Sequence, residues 1–419
     1  MGGGRLPVAC SAVFVLLAAA GCVWAPRAAV AAREYAAIFN FGDSLVDAGN
    51  LVVDGIPDYL ATARLPYGMN YFGYPTGRCS DGRLVVDFIA QELGVPLLPP
   101  SKAKNATFHR GANFAITGAT SLDTPFFVER GLGQTVWNSG SLHTQIQWFQ
   151  DMKPKLCSSP EECRELFRRS LFIVGEFGGN DYNSPLFAFR PIAEAHEFVP
   201  HVVESIGKGV EKLIAEGAVD LVVPGVLPIG CFPVYLSIFR KQADGYGGRS
   251  GCVRDLNTLS WVHNAALRRK VEELRGKHPG VRVVYADYYT PAIQFVLHAE
   301  KYGMLKQTPR ACCGAPGVGE YNFNLTSKCG EPGAYACQET LQPLELGRHP
   351  PHRGRLRPHR QGLALRALCR PAHPRHQASR LTPTVFSSAG HDRPAGQPVQ
   401  INSSLRKRRW ARDNDRPVN

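Results

Sequence analysis

Ser44 stands in Ala37 to Asn50, AIFNFGDSLVDAGN, where an apolar run from Ala36 to Phe41 stops at Gly42 and gives way at once to Asp43, Ser44, Asp47 and Asn50. A serine placed where a buried strand turns into a helix has an exposed hydroxyl and a free backbone N–H, and a nucleophile is presented in that way. The plain reading of an isolated Gly-Asp-Ser is a turn with a helix N-cap, so the rest of the chain has to decide between the two. An ester hydrolase needs a nucleophile, a general base oriented by an acid, and donors for the oxyanion. Gly118, in Thr117-Gly-Ala-Thr, lacks a Cβ and lets its N–H approach a substrate closely. Asn180, in Gly175-Glu-Phe-Gly-Gly-Asn-Asp, has a side-chain amide that donates without carrying charge. Taken singly, Gly118 is a turn residue and Asn180 a loop cap. Taken with Ser44, each follows an apolar, strand-like run.

The elements that must position these residues alternate. Ala36 to Phe41, Phe108 to Ile116, Ser170 to Val174, Asp220 to Val226 and Val281 to Ala286 read as strands. Between them, helical patterns are expected over Asp81 to Leu93 with Ser80 as N-cap and Gly94 as stop, over Ser141 to Met152, over Phe198 to Glu216 and over Leu256 to Lys277. Strands that are apolar throughout and alternate with helices predict an α/β fold with a parallel sheet covered on both faces. Sites in such sheets form outside the carboxyl ends of the strands. Ser44, Gly118 and Asn180 then fall along one edge. No internal repeat or linker interrupts the chain before residue 338.

Composition narrows the setting. The 419 residues suffice for one large domain or two smaller ones. Arg5, the apolar run Val8 to Ala20 and the small residues Ala29 to Ala32 read as a signal peptide over 1–32, and no later stretch is apolar enough to span a bilayer. The expected setting is therefore secreted, extracellular or cell wall. Cys157 with Cys163, and Cys231 with Cys252, read as local disulfides. Cys312, Cys313, Cys329 and Cys337 form two more whose pairing the sequence leaves open, with Cys79 and Cys369 left over. The alternative, a zinc site, lacks a CxxC pair and a nearby histidine. Asn105 and Asn324 are glycosylation acceptors for an exported chain. The net charge of +13 is almost all in residues 341–419, where sixteen Lys and Arg stand against four Asp and Glu. The preceding part is nearly neutral, so the charge is no argument for nucleic acid.

FGDSLVDAGN, GANFAITGAT and VGEFGGNDYN resemble, in order and spacing, the first three blocks of the plant GDSL esterase/lipase family within the SGNH hydrolases. TGRCSDGRLVVDFIA, VPGVLPIGCFP and Cys312-Cys-Gly are similar to further landmarks, so that the resemblance covers roughly residues 36–337. It implies a three-layer α/β/α sandwich of flavodoxin type over 33–340. It also implies Ser44 as nucleophile, an oxyanion hole from the N–H groups of Ser44 and Gly118 and the Asn180 side chain, and no metal or organic cofactor. Lipids, phenolic esters and acylated carbohydrates are all open as substrates, and the aromatic loop Tyr67 to Tyr74 is a candidate lining for a sugar or phenolic group.

The family's last block, Asp-x-x-His, is absent. None of the thirteen histidines has Asp three positions before it. In its place stands Leu346 to Arg360, LGRHPPHRGRLRPHR, without helical or strand periodicity. Written as codons and read one base on, Glu345 to Arg353 permits Asn-Trp-Asp-Gly-Ile-His-Leu-Thr-Glu. A frameshift or mis-spliced exon between Cys337 and Glu345 accounts for this, and makes 341–419 an accidental, disordered tail. Other readings are a genuine basic extension, His349 or His352 as a substitute base, or an inactive family member that binds a ligand in its crevice.

Overall fold

The computed structural model describes residues 34–57, 60–136, 140–239, 246–247, 250–302, 311, 313–314, 321–323 and 327–336. The expected signal peptide, the Asn324 acceptor, Cys312, Cys337, Cys369 and the basic tail lie outside these residues. Five strands form the central sheet: β1 (Ile38–Phe41), β2 (Gly111–Asn113), β3 (Leu171–Val174), β4 (Asp220–Pro224) and β5 (Arg282–Ala286). They pair in the order β2-β1-β3-β4-β5, every neighbour parallel. Ile38 faces Gly111 on one side and Leu171 on the other, which brings the carboxyl ends of β1, β2 and β3 level. The doubly covered parallel sheet expected from apolar strands is therefore present.

The helices that matter here are α1 (Asn50–Gly55), α2 (Val85–Glu92), α3 (Leu142–Leu156), α4 (Gly179–Phe187), α5 (Ile192–Ala215), α6 (Arg254–Lys277) and α7 (Tyr289–Leu297). On the first face Phe39, Phe41, Phe114 and Phe172 meet Phe149 of α3 and a long apolar stripe of α5, with α6 packed alongside. The stripe of α5 recurs at helical spacing, Phe198, Val202, Val203, Ile206, Val210 and Leu213, and all are buried. α3 and α5 approach so closely that a Cβ on Gly209 would lie 2.6 Å from Leu142, so the crossing needs glycine there. The second face is smaller: Ile38, Leu171 and Ile173 pack on Val46, Leu84, Val86 and Ala90. Val222 and Val284, neighbours in register on that face, stay half-buried, and α7 has no fully buried side chain.

Element boundaries moved where side chains took over backbone bonding. α2 begins at Val85 rather than Asp81, because Asp87 accepts from Leu84 N–H at 2.8 Å and also holds Arg78 at 2.9 Å, which keeps residues 78–84 out of the helix. Ser80 makes a local turn instead, accepting from Gly82 N–H at 3.1 Å. β2 ends at Asn113 rather than Ile116: the Asn113 side chain accepts Ala115 N–H, and the carbonyls of Asn113 and Ala115 accept from Asn50. α5 starts at Ile192, ahead of Phe198, and carries Pro200 within it. Ser141 caps α3, accepting Thr144 N–H at 3.3 Å. Disulfides join Cys157 to Cys163, Cys231 to Cys252 and Cys313 to Cys329. Cys79 is a free thiol, and Asn105 is exposed.

Candidate active site

Gly42 ends β1 with φ +154°, and a Cβ there would sit 2.5 Å from Val46 Cγ2. Only glycine fits this turn, and the turn aims the next two residues out of the sheet. The Gln145 side chain from α3 clamps it: Gly42 N–H donates to Oε1 at 2.9 Å, and Nε2 donates to Gly42 C=O at 2.8 Å and to Gly140 C=O at 2.9 Å. Ser44 is half-buried, and its hydroxyl has no hydrogen-bond partner among the described residues. Asp47 folds the following turn by accepting N–H bonds from Gly49 and Asn50. The same carboxylate reaches across to Thr117, taking its N–H and its hydroxyl at 2.9 Å each, and so ties the Ser44 turn to the turn that carries Gly118. Gly118 sits there with φ +85°.

Asn180 opens α4 two residues after Gly178, which starts the helix at φ +122°. Its Nδ2 donates to Ala119 C=O at 2.9 Å and to Asp43 Oδ2 at 3.1 Å. One amide thus bridges the residue before Ser44 and the residue after Gly118. The structure brings all three sequence-derived residues together at the carboxyl edge of β1, β2 and β3. It brings no histidine to Ser44 among the described residues. His263, the buried one, is engaged elsewhere, its Nδ1 2.6 Å from the Tyr182 hydroxyl, and burial lowers it to about 3.

Beneath these residues lie buried carboxylates that motif reading passed over. Burial pushes Asp43 up to about 7, with the charges of Asp181 and Asp47 adding to the rise and the Leu45 N–H bond opposing it. Asp181 is raised to about 6 by burial despite bonds from Ser121 and Leu122 N–H. Glu176 is raised by burial and by Asp43. Gln145 and Tyr235 were missed as well. Gln145 was findable as the polar member of the buried stripe Leu142, Ile146, Phe149. The Tyr67 to Tyr74 loop is bound to its own surroundings: the Arg83 guanidinium lies 4.2 Å from the Tyr71 ring, and Arg78 lies 5.0 Å from Phe72.

A parallel three-layer α/β/α fold, with a serine turn and an amide donor meeting at its carboxyl edge, defines the class of α/β serine ester hydrolases. The GDSL-like lipase/acylhydrolase family model matches residues 38–318. A GDSL esterase/lipase of Arabidopsis thaliana is 45% identical over 312 residues, covering 73% of this chain and 84% of the relative. A second from the same plant is 40% identical over 313 residues, 74% of this chain and 77% of the relative. Sinapine esterase of Brassica napus is 40% identical over 311 residues, 73% of this chain and 79% of the relative. The chain belongs to the GDSL esterase/lipase family, whose chemistry is carboxylic ester hydrolysis. Among the described residues no helix is long and apolar enough to cross a membrane.

Proposed function

We propose that this protein is a secreted serine esterase in which Ser44 attacks the ester carbonyl, and that the chain as written lacks the base for that step. The oxyanion is received by the N–H groups of Ser44 and Gly118 and by Asn180 Nδ2, which gives up its bond to Asp43 as charge develops on the substrate oxygen. The observation that carries this reading is the Asn180 amide, bonded at once to Asp43 and to Ala119. Ser44 Oγ, without a partner among the described residues, awaits a histidine. That histidine and its orienting aspartate belong to the Asp-x-x-His block, displaced here by a change of reading frame between Cys337 and Glu345. An acylated wall polysaccharide, a phenolic ester or a lipid is the substrate class, and secretion makes Asn105 available for glycosylation.

The test compares the chain as written with one whose residues from Glu345 onward follow the other frame, both assayed on a short-chain aryl ester. The restored chain is expected to be active and to lose activity on Ser44→Ala. The written chain should fall about a million-fold lower, the loss seen when a triad is removed. Normal turnover by the written chain, abolished by Ser44→Ala, would overturn the missing-base reading. An inactive restored chain would overturn the assignment of Ser44. The partnerless hydroxyl also supports a second reading, a non-catalytic binder, which predicts equal ligand affinity with and without Ser44 and no labelling by a serine-reactive phosphonate.

A further inference from the structure

Asn180, Asn183 and Phe187 lie three and four residues apart on α4 and so share one helix face. The face begins at Asn180, beside the turns that carry Ser44 and Gly118. Asn183 Nδ2 donates to Asn180 Oδ1 at 3.2 Å, and the Tyr235 hydroxyl donates to Asn183 Oδ1. Tyr235, from the short helix Pro233–Phe239, is a buried ring with two near-parallel neighbours. Phe187 lies 6.0 Å from it with planes 22° apart, and Phe232 lies 6.2 Å from it at 27°. Phe187 is 39% exposed, so a run of stacked rings ends in a phenyl group open to solvent. Seven residues of helix put that ring about 10 Å along the axis from Asn180. A carbonyl held at Asn180 with a ring two or three atoms away brings that ring to stacking distance of Phe187.

We infer that this face of α4 is a subsite for a planar aromatic ring, and that Phe187 is the residue that selects esters carrying one. Stacked rings attract beyond the area they bury, because the edge of one faces the electron-rich face of the other, and a saturated ring of the same size gains only the area. The Tyr235–Asn183–Asn180 chain positions the oxyanion donor against that stack, so the ring and the carbonyl are held by one connected set of side chains. The inference rests on the proposed placement of the carbonyl at Asn180. It does not require a working base.

Binding of four probes to the full chain is measured by saturation-transfer NMR titration. 3-Phenylpropanoate against 3-cyclohexylpropanoate reports the acyl side of the ester, and 2-phenylethanol against 2-cyclohexylethanol reports the alcohol side. In at least one pair the aromatic member is expected to bind about fivefold more tightly, the worth of one aromatic pair. Phe187→Leu, which keeps the bulk and removes the ring, brings that ratio close to one, and Phe187→Tyr retains it. Equal affinities in both pairs, no binding by any probe, or a preference that survives Phe187→Leu overturns the inference. Because no probe is hydrolysed, these outcomes are separate from the phosphonate reaction that tests Ser44 as a nucleophile.

Discussion

Asp43 shows how much one residue of a short motif can carry beyond the role its neighbour is read for. Its carboxylate accepts Leu45 N–H at 2.9 Å and Asn180 Nδ2 at 3.1 Å while 4% exposed, so it shapes the serine turn and fixes the amide donor together. Burial holds its proton on up to about 7, against an ordinary 3.8. Between those values the unfolded chain has released a proton that the folded chain keeps, so stability contributed by the group is present below 3.8 and lost as pH rises through about 7. Asp181, raised to about 6, acts in the same direction. Thermal melts of the wild-type chain and of Asp43→Asn between pH 4 and pH 8 are the check. The variant, unable to titrate, is expected to show a shallower fall in Tm across that window, and parallel curves would remove Asp43 from the account. Ser44, Gly118 and Asn180 were readable in the sequence because each follows an apolar strand. The burial of Asp43, Glu176 and Asp181 was not, since an acidic residue in a loop motif looks the same whether water or protein surrounds it.

Elements at the site are held by side chains from elsewhere in the chain rather than by the sheet alone. Gln145 is the clearest case: a helix whose clamp lies 103 residues from Gly42 in sequence supplies three bonds, two to Gly42 and one to Gly140. Gln145→Leu keeps the size but leaves a buried N–H without a partner and two carbonyls short of a donor, at a cost of about 3 kcal/mol. That cost should appear as a lower urea midpoint with an unchanged slope. A midpoint equal to wild type would mean that the clamp contributes nothing. Asn50 does similar work at the next turn, donating to Asn113 and Ala115 C=O and accepting from Ser101 and Lys102. Periodicity located β1, β3, β4 and β5, as well as α3 and α6, within a few residues, because burial imposes the pattern that periodicity detects. It overran β2 and began α2 too early, because Asn113 and Asp87 divert backbone bonds into side chains, a choice that depends on residues distant in sequence.

Among the described residues the sheet is unevenly covered. The first face of the sheet carries α3, α5 and α6, while on the second face α2 and its flanking loops cover β1 and β3. Toward β4 and β5 that second face fades. Val222 and Val284 remain half-buried, α7 has no fully buried side chain despite Ile293, Val296 and Leu297, and the fully buried Asn40 amide, on the same face of β1, has no hydrogen-bond partner among the described residues. An apolar surface left in this state invites association, and a polar group sealed beneath it costs stability. Under the frame change proposed above, the block carrying aspartate and histidine would lead into a helix that packs on the sheet. Residues 341–419 as written carry sixteen Lys and Arg and no amphipathic run. The written chain is therefore expected to bind the dye ANS and to form soluble aggregates by light scattering, while the chain in the restored frame is monomeric and dark. A written chain that melts cooperatively, without aggregation or dye binding, would show the face already satisfied, and the frame change would then cost the protein its base without costing it its fold.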